Sequence, residues 1–156
     1  MRGIWLLLCG PPLLAQSLHV FGGPGSPGEE VQVDIVLVSP AGHEPSALQW
    51  EVSFPAAELA LEGSGAGLGI AARDAGKGIQ CAEQPSGQVT TRAYRCLLAG
   101  GQKTIRNGPV AALKLKVGAG ARRGDARVRI THAIGVSADL KKATIPDAEG
   151  VVTIRP

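Results

Sequence analysis

A chain of 156 residues holds one ordinary domain and is too short for two. Apolar residues make up 44% and charged residues 19%, which excludes a disordered chain, while 22 glycines and 11 prolines weigh against a helix bundle. Aromatic residues are only 3% and the net charge is +3, so neither a stacking platform for sugars or bases nor the strong basicity of a nucleic-acid binder is present.

Residues 1–16 have the layout of a secretory signal peptide. Arg2 precedes an apolar run from Ile4 to Leu8, a Gly-Pro-Pro break follows, and Leu-Leu-Ala stands ahead of a cut after Ala15 or Ser17. The run is far below the ~20 residues of a membrane span. This predicts a secreted protein, extracellular or periplasmic, whose domain covers residues 17–156. Cys9 would leave with the signal, and Cys81 and Cys96 would remain as an even pair.

The domain opens with a short strand in "SLHVFGG" and a turn in "PGSPG". In "EEVQVDIVLVS", Val31, Val33, Ile35 and Leu37 alternate with Gln32 and Asp34, the period of a half-buried strand. "ALQWEVSFP" has the clearest alternation, with Leu48, Trp50, Val52 and Phe54 on one face and Gln49, Glu51 and Ser53 on the other. "AAELAL" suggests one helical turn before a further strand, "EGSGAGLG" a flexible loop, and "IAARD" another strand. "GIQCAEQ" and "TTRAYRCLL" flank a turn marked by Pro85 and Gly87. A hairpin folded near residues 88 and 89 places Cys81 opposite Cys96, so a disulfide is expected, closing a loop of about 15 residues worth roughly 3 kcal/mol.

The stretch "NGPVAALKLKVGAGARRGDARVRI" reads as two strands with apolar residues on one face and Lys114, Lys116, Arg127 and Arg129 on the other. "EGVVTIRP" supplies the last strand. Eight or nine short strands separated by turn signals predict an all-β sandwich or barrel.

No catalytic constellation emerges, and the chain is expected not to be an enzyme. His19, His43 and His132 are far apart and read as surface or loop residues, the serines lack a nucleophile elbow, and "GSGAGLG" lacks the Lys-Ser/Thr of a P-loop. Asp139, Asp147 and Glu149 lack the closely alternating oxygen ligands of a calcium loop. No cofactor or metal is expected.

The order of segments resembles the cohesin family, the modules that bind dockerins in cellulosome scaffolds. It is carried by "VFGGPGSPGEEVQVDIVL", by "ALQWEVSFPAAELAL" with its Pro-containing corner, by "GPVAALKLKVGAGARRGDARVRI" and by "VSADLKKATIPDAEGVVTI", from about His19 to Ile154. The resemblance implies a jelly-roll β-sandwich of about nine strands, without catalytic residues, that docks a calcium-loaded dockerin on one sheet face. The corner here is "SFPAAEL" rather than the family's usual Tyr-Asp-Pro, a disulfide is not a usual family feature, and the sequence reads as one stand-alone module. Gln49, Glu51, Ser53, Arg92 and Tyr94 are the expected outward residues of the docking sheet, with Tyr94 as an anchor. The alternative is a carbohydrate-binding module of a polysaccharide-degrading system. That reading calls for a row of exposed aromatics, whereas Trp50 alternates inward.

Overall fold

The computed structural model describes residues 15–156, so nearly all of the expected signal peptide lies outside the described residues. The chain runs β1 (Ser17–Phe21), β2 (Pro24–Gly25), β3 (Glu30–Val38), β4 (Ala47–Pro55), β5 (Leu59–Leu68), α1 (Ile70–Asp74), β6 (Gly78–Gln84), β7 (Thr91–Ala99), β8 (Gly108–Val117), β9 (Gly124–Val136), β10 (Lys142–Ile145) and β11 (Ala148–Ile154). Apart from β2 and β10, the shortest of the eleven, nine strands form the body of the sandwich. A four-stranded sheet has the order β1-β3-β8-β5. It packs on a seven-stranded sheet of order β2-β11-β9-β4-β7-β6, with β10 beside β9.

Period-two alternation decides what fills the space between the sheets, because successive side chains point to opposite faces. Val31, Val33, Ile35 and Leu37 of β3 and Leu113, Leu115 and Val117 of β8 are buried from one sheet. Leu48, Trp50, Val52 and Phe54 of β4 meet them from the other, with Val128, Ile130, Val152 and Ile154. Aliphatic side chains thus do the work that aromatics do in many sandwiches. Pro109 cannot donate to a ladder, yet it lies in β8 between two neighbours. The β3–β8 register shifts between Ile35 and Val36, opposite Pro109, and a bulge is where an interior strand tolerates proline.

Three local expectations are corrected. All of "EGSGAGLG" but its last glycine belongs to β5, whose pairing with β8 breaks after Leu61 and resumes at Ala66. Gly65 permits this detour: it has φ +72°, and a Cβ there would lie 2.2 Å from Leu61 Cγ. "IAARD" is the helix α1, with Ala71 and Ala72 buried against the core; five residues are too few for periodicity to separate helix from strand. Pro24 and Gly25 of the "PGSPG" turn form β2, parallel to the end of β11, whereas "AAELAL" makes a turn and then enters β5 as expected.

The hairpin of β6 and β7 has the expected register: Cys81 pairs with Cys96, and their sulfurs are bonded at 2.05 Å. One buried cation braces the same region. Lys77 is 4% exposed, and its Nζ donates to the Gly100 carbonyl at 2.7 Å, tying the end of α1 to the loop after β7. Burial without a carboxylate partner pushes its pKa down.

Candidate functional site

Strands β8 and β9 of the basic stretch lie in different sheets, so its charges divide between opposite outer faces. Lys114 and Lys116 sit on the four-stranded sheet, across from Gln32 and Glu30. Arg127 and Arg129 sit on the seven-stranded sheet. There Arg127 Nη1 meets Glu149 Oε1 at 2.9 Å and Arg129 Nε meets Glu149 Oε2 at 3.0 Å.

The outer face of the seven-stranded sheet can be assembled from its register. One row runs Gln80, Leu97, Gln49, Ile134, Thr144; the next Ala82, Arg95, Glu51, Thr131; the third Gln84, Ala93, Ser53, Arg129, Glu149. Leu97, 45% exposed, is the large apolar side chain that this face leaves most open. At the centre Glu51 accepts from Arg95 Nη2 at 2.7 Å and lies 3.0 Å from His132 Nδ1.

A bulge creates this cluster. The β4–β9 pairing shifts between Gln49 and Glu51, so Trp50 faces two residues of β9, His132 and Ala133. His132 takes φ +51°, and the detour turns Thr131 and then His132 outward in succession while Ala133 returns to the core. The hydrogen bond from Arg95, followed by the attraction of His132, holds the Glu51 carboxyl below the ordinary carboxylate range, against a partial desolvation that raises it.

A pH dependence follows. With its folded pKa below the unfolded value, ionised Glu51 stabilises the fold above the unfolded carboxylate range. That contribution is lost as pH falls through the lowered value. Glu51→Gln is therefore expected to flatten the acid limb of stability against pH, read by urea unfolding between about pH 3 and about pH 7. An unchanged acid slope would show that this pairing adds nothing.

Of the five expected partner residues, the structure brings Gln49, Glu51 and Ser53 onto one outer face and turns the other two away. Tyr94 pairs with Val52 and Arg92 with Phe54, which puts both on the side facing the other sheet. Tyr94 stacks on Phe54 with ring centroids 5.9 Å apart, and Arg92 meets Glu83 at 3.2 Å. The outward expectation is corrected for Tyr94, whereas Arg92 is exposed but holds the inner parity of β7 and does not join this face. Cys96 is fully buried, and Tyr94 and Arg92 share its parity on β7; Arg95 and Leu97 hold the outward parity and were missed. His132 is exposed as expected, but on a strand at the heart of the face rather than in a loop. Asp139 and Glu149 are apart in role: Asp139 accepts from Ser137 in the β9–β10 loop, and Glu149 holds the two arginines.

No family model matches the sequence, and no curated protein matches it either. Solved structures do match. The sixth cohesin of scaffoldin B from Acetivibrio cellulolyticus, in complex with a mutant Cel5 dockerin, aligns with a TM-score of 0.68 at 18% identity, over 88% of this chain and 99% of that one. A non-cellulosomal cohesin from the archaeon Archaeoglobus fulgidus aligns with a TM-score of 0.68 at 13% identity, over 91% and 92%. The fold is that of the cohesin modules. The cohesin module of a family 33 glycoside hydrolase from Clostridium perfringens gives a TM-score of 0.70 at 10% identity, over 90% and 97%. The matches cover 88%, 91% and 90% of this chain, so the shared fold takes in most of the described domain.

Proposed function

We propose that this chain is an exported, non-catalytic docking module that takes a dockerin-type protein on the outer face of its seven-stranded sheet. One observation carries the reading: a cohesin fold over about nine-tenths of the chain, shared with modules solved in complex with dockerins. The face itself supports it. Gln49, Glu51 and Ser53 share this face with the exposed Leu97, with arginines along one end, which suits an apolar contact flanked by polar ones. The Cys81–Cys96 disulfide supports export, because such bonds persist in oxidising compartments. Among the described residues no helix is long and apolar enough to cross a membrane.

The test is capture. The immobilised chain is exposed to a panel of dockerin modules with calcium and again with chelator. Retention in calcium, weakened about tenfold or more by Leu97→Asp and unchanged by Lys114→Gln on the opposite sheet, is the expected result. Binding that ignores Leu97→Asp but fails with Lys114→Gln would move the site to the four-stranded sheet. Retention of polysaccharide in place of any dockerin would replace the reading with the carbohydrate-binding one.

A further inference from the structure

Around Glu51 and Glu149 the cations of this face stand higher than the carboxylates they pair with. The side chains of Arg95, Arg127 and Arg129 are 50%, 61% and 58% exposed and that of His132 is 78% exposed, whereas Glu51 and Glu149 are 21% and 38% exposed. Each carboxylate is gripped from two sides, and the guanidinium groups that hold them still present N–H donors to solvent. A partner approaching over these two carboxylates meets guanidinium and imidazole first, while the exposed Asp125 lies apart at the start of β9.

Imidazole is the side-chain type that gains charge on the acid side of neutrality, and His132 is the imidazole of this set. Its setting is built rather than incidental. A non-glycine residue at φ +51° is uncommon, and such backbone persists where the surroundings over-determine it. Here the surroundings are the bulge opposite Trp50 and the contact with Glu51.

The charged groups around the imidazole come from four strands and one link. Glu51 lies on β4, Arg95 on β7, and Arg129 on β9 itself, paired with Glu149 of β11. Asp147 lies in the link between β10 and β11, across from the bulge, since Ala133 pairs with Ile145 and Ile130 with Ala148. With neutral imidazole, the one charge of Glu51 is matched by Arg95. Protonation adds a positive charge at the most exposed point of the cluster.

We infer that this face selects a protein partner bearing carboxylates, and that His132 tightens the grip as pH falls. The inference rests on the docking reading and specifies the chemistry of the partner. The probe is an aspartate peptide of about ten residues, whose carboxylates stay ionised at both working values, about pH 5.5 and about pH 7.5. Amide shifts of the full chain are followed by NMR together with the imidazole resonance of His132.

The expected result is perturbation centred on Thr131, His132, Arg129 and Ser53, with binding about threefold to tenfold tighter at the lower pH. In His132→Asn, whose side chain tolerates the left-handed backbone, the two pH values should give the same affinity. Lys114→Gln on the opposite sheet should keep the difference. A pH difference that survives His132→Asn overturns the inference, as do shifts centred on Lys114 and Lys116, or preference for a heparin oligosaccharide over the peptide. A dockerin capture blocked by Leu97→Asp yet indifferent to pH and to His132→Asn would overturn this inference and leave the docking reading standing. Binding of the peptide at the arginines without capture of any dockerin would do the reverse.

Discussion

Trp50→Ala is expected to cost about 3–5 kcal/mol, and Trp50→Phe much less than half of that. The indole is completely buried in the middle of β4, so truncation to alanine removes a large contact area and leaves a cavity that a sandwich with paired strands on both sides collapses only in part. Phenylalanine refills most of the volume. It also discards the indole N–H, which is buried without a hydrogen-bond partner among the described residues and so carries a desolvation cost in the native protein. Urea unfolding measures both variants, with the midpoint falling at a constant slope. Equal losses for the two substitutions would mean that the N–H, through a partner such as bound water, contributes more than the ring.

The same residue links the core to the docking face. Trp50 is the β4 position that faces the bulged pair of β9, and its ring is buried on the core side of that pairing. A cavity there removes the floor of the bulge. Trp50→Ala should therefore change the His132 imidazole resonance in the folded protein, whereas a cavity elsewhere in the core should not.

Those residues also show what a sequence discloses and what it withholds. Strand alternation is local, and so the burial of Val31 to Leu37 and of Leu48 to Phe54 was legible, as was the register of the Cys81–Cys96 hairpin from its turn and spacing. The order of segments was enough to point to the cohesin fold, which the comparison of structures bears out. Parity between strands is not local. Gln49 was placed outward correctly from its own strand, but Arg92 and Tyr94 were placed by their chemistry. The available correction was the buried half of the disulfide: a core-facing Cys96 forces Tyr94 inward. The bulge at His132 was not legible at all, because no glycine or proline marks it and its cause is the partner strand. Nor could the division of Lys114 and Arg127 between two sheets be read from a stretch in which both strands look alike.

Loss of the Cys81–Cys96 bond is expected to cost about 3 kcal/mol, the loop-closure value for a sequence separation of 15. Where the loss falls matters more for function than its size. Strand β6 is the edge of the seven-stranded sheet and is hydrogen-bonded on one side only, to β7. Its own burial is shallow, with Ile79 and Cys81 half-buried, so little besides the ladder and the covalent bond holds it. Cys96, by contrast, is fixed in the core. Breaking the bond frees the edge strand rather than the centre. Amide exchange in Cys81→Ala/Cys96→Ala should speed up first in β6 and in the turn before β7, with β4 and β9 protected until global unfolding. Gln80, Ala82 and Gln84 then leave the docking face while Glu51, Arg129 and His132 stay in place. Urea unfolding of the double variant, beside the wild-type chain unfolded with and without reductant, measures the cost. A loss below about 1 kcal/mol, or exchange that rises evenly across the sheet, would show that packing rather than the bond holds the edge.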